Sequence, residues 1–261
     1  MWREISFYLF RLKLNFNNKR VLQASFLLQI LSMFIANSSF FIIWVLFSRT
    51  LGSINGWGAL QTFGMISLAL LIFGICHTMF GTLGRMYEVV PNGAFDAHLT
   101  KPKSLYVRII NNEFYVSAIG DLIQGTLGLL IFIYLANLSF QSILLLFLML
   151  PPAVLVELSI TVLYDCIIFW LPQAPNLSQA LFNLVMLPST QPISLLRGAF
   201  RFIYLFILPA LVISGLPIEV LAQNRWSICL LAYAIAITWF LISRWVLKIS
   251  IHRYESGNSI G

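Results

Sequence analysis

The sequence predicts an all-α polytopic membrane protein with six transmembrane helices, an N-terminal interfacial helix and a short cytoplasmic helix between the second and third spans. Of the 261 residues, 59% are hydrophobic and only 10% are charged. Several stretches of twenty or more residues contain no Asp, Glu, Lys or Arg. A soluble domain with this composition could not present a polar surface to water, so the composition indicates a membrane protein.

The number and orientation of the spans follow from segment length and charge. A hydrocarbon core of about 30 Å requires about 20 helical residues. Six apolar segments meet this length: 21–48, 60–84, 109–136, 143–170, 200–222 and 227–247. With the N-terminus in the cytoplasm, all of the 16 Lys and Arg residues except Arg49 and Arg225 lie on the cytoplasmic side. The positive-inside rule therefore predicts that both termini are cytoplasmic.

The remaining segments complete the predicted organisation: an interfacial helix over 1–20, a transmembrane domain over 21–247 and a cytoplasmic tail over 248–261. The N-terminal segment carries an apolar stripe at helical spacing, formed by Trp2, Ile5, Leu9, Leu12 and Phe16. Its basic residues lie mostly off that stripe, which is typical of a helix along the membrane surface. Segment 171–199 is apolar but contains four prolines, so we expect short helices at or partly within the membrane.

The sequence contains no motif for catalysis or for nucleotide or metal binding. It has neither a GxxxxGKS/T run nor an HExxH helix, and its three histidines lie far apart. The three cysteines lie singly in apolar segments, without metal-ligand spacing. The net charge is +7, but the basic residues flank the apolar segments, which indicates membrane orientation and not a nucleic-acid partner. We therefore expect no catalytic residue, metal site or cofactor on this chain.

Four ionisable residues lie within the predicted spans: His77, Asp121, Glu157 and Asp165. A carboxylate at the centre of a bilayer costs about 2.5–3.5 kcal/mol, so these groups should face the interior of the bundle, a partner or water. Glu157 and Asp165 are eight residues apart, which places them on roughly one helix face. Two interpretations remain open, a translocation path for a cationic or polar substrate and simple hydrogen bonding between packed helices.

A polar run, VVPNGAFDAHLTKPKS at residues 89–104, interrupts the apolar chain in the cytoplasmic loop 85–108. Its Pro-Asn-Gly sequence is typical of a turn, and Pro102 would end a helix of about two turns. Phe95 and Leu99 would share one face of that helix. So short a helix is not stable alone in water, and we expect it to dock on its own protein, on lipid headgroups or on a cytosolic partner.

The polar run also resembles a known signature. Its spacing Gly93-x-x-Asp96-x-x-Leu99-x-x-Pro102 is similar to the first cytoplasmic loop of ABC-2-type permeases, in the subgroup linked to drug efflux. The resemblance extends to a late series, Pro192, Arg197, Pro209 and Pro217, and to the tail HRYESGNS. It implies that the loop helix is a coupling helix that contacts an ATPase through Gly93, Phe95, Asp96, Leu99 and Pro102.

This resemblance implies the membrane subunit of an ATP-driven exporter in a bacterial inner membrane. A separate cytosolic ABC ATPase would bind ATP and Mg, and a second permease subunit, identical or related, would complete the transporter. In that hypothesis Phe95 and Leu99 fill a cleft on the ATPase, Asp96 lies at its rim, and Asp121, Glu157 and Asp165 line the path. A membrane scaffold without a transport cycle is an alternative. An ion-coupled secondary transporter is disfavoured, because the six spans show no internal repeat.

Overall fold

The computed structural model describes residues 2–20, 23–52, 57–81, 86–90, 93, 95–96, 115–171, 175–223 and 225–254. The regular structure in these ranges is helical: α1 (Trp2–Arg20), α2 (Gln23–Leu51), α3 (Ala59–Met79), α4 (Met86–Val89), α5 (Ala118–Leu135), α6 (Phe140–Cys166), α7 (Pro175–Ser189), α8 (Ala199–Phe202), α9 (Ala210–Ile213), α10 (Gly215–Gln223) and α11 (Trp226–Ile251). Two 3₁₀ turns, Ile167–Phe169 and Ile193–Leu195, and one π-helical turn, Ile203–Ile207, join some of these helices.

Five helices of the described chain are long and apolar enough to cross a membrane. Their spans are Gln23–Trp44, Ala59–Met79, Ala118–Leu135, Phe140–Phe169 and Trp226–Ile251. They lie within five of the six predicted segments or overlap them closely. The fold is therefore an all-helical membrane bundle, as the composition predicts.

The N-terminal helix α1 covers the segment predicted to be helical. Two of its apolar side chains, Leu9 and Phe10, are exposed. The hydroxyl of Tyr8 donates a 2.6 Å hydrogen bond to the carbonyl oxygen of Met79, at the end of α3. Burial at this contact raises the pKa of Tyr8. The helix is thus attached to the end of the bundle, and its position along a membrane surface stays a prediction.

Helices α3 and α5 form the tightest pair in the bundle. A Cβ atom added to Gly74 would lie 2.5 Å from the backbone nitrogen of Leu122, and one added to Gly125 would overlap the backbone of Leu71. Glycine is required at both positions because the two backbones leave no room for a side chain.

Helices α6 and α11 lie side by side and run in the same direction. The hydroxyl of Tyr233 donates to the carbonyl of Leu148 at 3.0 Å, and the indole nitrogen of Trp170 donates to the hydroxyl of Ser250 at 3.2 Å. Residue numbers therefore rise together along both helices. A chain that joins the end of one helix to the start of a parallel neighbour must run back past it. Segment 171–225 therefore carries the chain back along the bundle.

The predicted span 200–222 lies within this return, and in the structure it is interrupted and is not one continuous helix. Arg201 and Glu219 form an ion pair in which one guanidinium nitrogen lies 2.8 Å from both carboxylate oxygens. In a straight helix residues 18 apart would be separated by about 27 Å, so the segment folds back on itself. Proline removes a backbone donor and interrupts a helix, and Pro209 lies between the π-helical turn and α9. A sixth transmembrane helix stays a prediction.

Candidate functional site

The segment after α4 carries the first candidate site. Gly93 has a positive φ of 69°, a conformation that favours glycine. Its amide donates to the carbonyl of Val90, and the amide of Asp96 donates to the carbonyl of Gly93, both at 3.2 Å. These bonds and the positive φ are typical of a turn at Gly93, while Pro91 and Asn92 lie outside the described residues. Leu99 and Pro102 lie outside the described residues, so the two-turn helix stays a prediction.

Phe95 lies at the centre of a compact apolar cluster and is 0% exposed. Its ring packs edge to face against Phe169 and Tyr254, with centroids 5.2 and 4.9 Å apart. The Phe95 cluster consists of Met86, Val90, Phe95, Val162, Cys166, Ile168, Phe169 and Leu247. It joins the loop after α3 to the end of α6 and to the end of α11.

This burial gives Phe95 a docking surface on its own chain, and the hypothesis that it fills a cleft on an ATPase stays a prediction. The ring is enclosed by its own chain, so it cannot enter a partner without leaving the cluster. Of the docking surfaces left open by the sequence, its own protein is the one Phe95 uses. Asp96 remains half-buried and lies beside Tyr254. Burial, together with the Asp96 carboxylate, raises the pKa of the Tyr254 phenol to about 12.

The tail reinforces the same connection. The guanidinium of Arg253 lies over the ring of Trp170, 4.2 Å from its centroid, in a cation–π arrangement. Trp170 also bonds Ser250 on α11. The end of α6, the end of α11 and the Phe95 loop are therefore joined by three kinds of contact.

Asp121 forms the second candidate site, in the first turn of α5. The amide nitrogen of Asn37 on α2 donates to its Oδ1 atom at 2.5 Å, and Asp121 is 5% exposed. One turn along α5, Gln124 donates to the hydroxyl of Ser38 at 3.0 Å. These bonds join α2 to α5 and satisfy polar groups that would otherwise be costly in a membrane.

A cavity of about 230 Å³ lies beside Asp121. Helices α2, α3, α5, α6 and α7 line it together with Tyr115, which precedes α5. Five rings line it: Phe73, His77, Tyr115, Tyr164 and Phe182. The structure thus brings Asp121 and His77, which are distant in sequence, to one space that we name the Asp121 cavity.

The two carboxyl groups of α6 do not line this cavity. Glu157 and Asp165 are each 2% exposed. The hydroxyl of Thr161 lies 3.4 Å from Glu157 Oε1 and accepts a 3.0 Å bond from the hydroxyl of Tyr164. Within the described ranges, no group of three His, Cys, Asp or Glu side chains could hold a metal ion. A role for Glu157 and Asp165 in translocation stays a prediction.

Sequence reasoning missed several residues of the cavity. Asn37 could have been noticed, because the polar run Asn-Ser-Ser interrupts an otherwise apolar span. Tyr115, Tyr164 and Phe182 gave no such signal, since aromatic residues occur throughout the chain. Only the fold brings these three rings together.

Comparisons with known proteins bear on the identity of the chain. A family model described as "ABC-2 family transporter protein" matches residues 33–258. Comparisons with curated proteins and with solved structures give no match. The family match covers most of the chain and agrees with the resemblance at Gly93–Pro102 and with the apolar helical bundle. The chain therefore belongs to the ABC-2 transporter family and is an integral membrane subunit of a transporter.

Proposed function

We propose that this chain is the permease subunit of an ABC exporter, in which a separate cytosolic ATPase drives alternating access. The observation that carries the coupling part of the proposal is the burial of Phe95 against α6 and the tail. Export is included because the loop signature resembles that of permeases linked to drug efflux. A bacterial inner membrane, cytoplasmic termini and a second permease subunit belong to the same proposal.

The Phe95 cluster offers a mechanical route from the loop to the spans. Packed protein interiors are dense, so a displaced buried ring must displace its neighbours. Phe95 contacts Phe169 at the end of α6 and Tyr254 after α11. Movement of the loop by an ATPase would therefore be passed to two parallel helices at once, as in switches where rigid elements shift together.

In this revised mechanism the loop has an inner and an outer role. Phe95 anchors the loop to its own subunit, while Leu99 and Pro102 remain the proposed contacts with the ATPase. Asp96, half-buried beside Tyr254, comes between these two sets in the sequence. ATP and Mg would be bound by the partner, and this chain would supply the path for the substrate.

The test separates association from coupling. Leu99→Asp should abolish co-purification with the cognate ATPase, because a charge replaces an apolar contact. Phe95→Leu should retain co-purification but lose most ATP-dependent substrate flux in vesicles, because leucine cannot reproduce the two edge-to-face ring contacts. Phe200→Leu, the same change at an exposed phenylalanine, should leave both properties unchanged.

Two results would contradict the proposal. Normal co-purification of Leu99→Asp would remove the docking role of the loop. Normal coupled flux in Phe95→Leu would remove the transmission role of the Phe95 cluster. Association with an ATPase but no ATP-dependent flux of any substrate would favour the scaffold alternative.

A further inference from the structure

We infer that the Asp121 cavity binds an organic ammonium group, supplied either by a membrane-soluble organic cation or by the amine headgroup of a lipid. The inference rests on the proposed function, because such a ligand would be the transported substrate.

The walls of the cavity are unusually rich in π surfaces. His77 lies 5.8 Å from Tyr115, 6.0 Å from Phe182 and 6.3 Å from Phe73, measured between ring centroids. Tyr164 continues the wall at 5.8 Å from Phe182. Aromatic rings gathered around one space, with faces available to a cation, are the arrangement by which proteins recognise alkylated ammonium groups.

The charge of the lining agrees with a cationic ligand. Asp121 supplies a carboxyl group, and no lysine or arginine occurs among the described residues that line the cavity. The hydrogen bond from Asn37 engages Oδ1 and holds the carboxyl group in place. A buried carboxylate is costly unless it is paired, and a bound cation would supply a pairing charge.

The size and position of the cavity narrow the ligand further. A volume of about 230 Å³ is below the roughly 300–1,000 Å³ of sites that enclose a drug-sized ligand. The cavity therefore suits a small ammonium compound or the cationic head of an amphiphile. Asp121 lies in the first turn of α5 and His77 in the last turn of α3, which is the cytoplasmic end in the proposed orientation. A ligand would then enter from the cytoplasm or the inner leaflet.

Binding to the purified full chain tests the inference directly. The probe is radiolabelled benzyltrimethylammonium, measured by equilibrium dialysis against protein in dodecyl maltoside micelles, which carry no charge. We expect saturable binding, and at least about tenfold weaker displacement by neopentylbenzene, the uncharged carbon isostere of the probe. Equal displacement by the two compounds would overturn the inference.

Three variants locate the binding. Asp121→Asn, which keeps the size of the side chain, should raise the Kd of the probe about tenfold or more. Phe182→Leu should raise the Kd several-fold. If Asp121→Asn does not purify as a single species, the Kd of Phe182→Leu alone shows whether the probe binds in the cavity. Glu219→Gln removes a carboxyl group that does not line the cavity, and its Kd should equal that of the wild type. An unchanged Kd in both cavity variants would overturn the inference.

Adding lipid distinguishes the two sources of the ammonium group. Displacement of the probe by phosphatidylethanolamine, but not by phosphatidylglycerol, would identify a lipid amine as the occupant. Displacement by neither would identify a soluble organic cation. Displacement by both lipids to the same extent would show that the charge of the headgroup is not recognised, and would overturn the inference.

The binding assay contains neither ATPase nor ATP, so its result does not depend on whether the proposed coupling to an ATPase is correct. Loss of probe binding in a permease that still co-purifies with its ATPase would remove the ligand class alone. Intact binding in a permease that never associates with an ATPase would remove the coupling proposal alone.

Discussion

The Phe95 cluster and the Asp121 cavity both bring aromatic rings together, yet one is filled and the other is hollow. In the cluster, the Phe95 ring lies 4.9 and 5.2 Å from its aromatic neighbours. In the cavity, neighbouring rings lie 5.8 to 6.3 Å apart, centroid to centroid, around a space of about 230 Å³. Dense aromatic packing can transmit a displacement, whereas spaced rings beside a carboxyl group can receive a ligand.

The largest expected contrast comes from the same substitution in each region. Phe95→Ala should lower the free energy of unfolding by about 3–5 kcal/mol, because it opens a cavity in a closed cluster. Phe182→Ala should cost clearly less, since Phe182 is half-buried and already borders empty space. Reversible unfolding in mixed micelles measures both. Equal losses would show that the two regions are packed alike.

A second contrast concerns the close packing of α3 against α5. Gly125→Ala should cost about 1–3 kcal/mol of unfolding free energy, because the new methyl group overlaps the backbone of Leu71. Gly215→Ala is the matched control, since its Cβ would meet Ile193 at an ordinary 3.5 Å. The same unfolding assay checks the pair. An unchanged free energy of unfolding in Gly125→Ala would mean that α3 and α5 can move apart to accommodate the methyl group.

A third prediction concerns the polar pair beside the cavity. Asp121→Leu alone should destabilise the bundle by about 1–3 kcal/mol, because Asn37 then loses its acceptor. Adding Asn37→Leu should recover most of that loss, since apolar partners of similar size can replace a buried polar pair. A double-mutant cycle measures the recovery. Additive losses would show that the two side chains do not depend on each other.

The smallest expected effect is the titration of Tyr254. Its pKa is raised from 10.0 to about 12 in the folded protein, so the neutral phenol stabilises the fold below pH 10, and this contribution is lost as the pH rises towards 12. Asp96→Asn should lower the pKa while leaving it above 10.0, because burial is the larger cause. NMR of ¹³C-labelled tyrosine follows this titration. An unchanged pKa would show that the Asp96 carboxylate does not interact with the Tyr254 phenol.

The sequence predicted the membrane class and five helices well, because long apolar runs have few alternatives to a transmembrane helix. It did not predict the fold-back that joins Arg201 to Glu219, since prolines indicate an interruption but not the direction the chain then takes. The sequence also did not determine which surface Phe95 packs against, because the apolar face of a short helix does not specify what covers it. The Asp121 cavity combines side chains from five helices, a juxtaposition no local pattern contains.

The parallel packing of α6 and α11 also sets the order in which the protein can be assembled. The bond between Tyr233 and Leu148 joins residues 85 positions apart, and the bond between Trp170 and Ser250 joins residues 80 apart. At about 5–20 residues per second of synthesis, α6 waits about 4–17 s in the membrane for its neighbour. During that interval lipid or another helix covers the side of α6 that α11 later takes. The Phe95 cluster includes Leu247 near the end of α11, so Phe95 can be fully enclosed only after α11 has been synthesised.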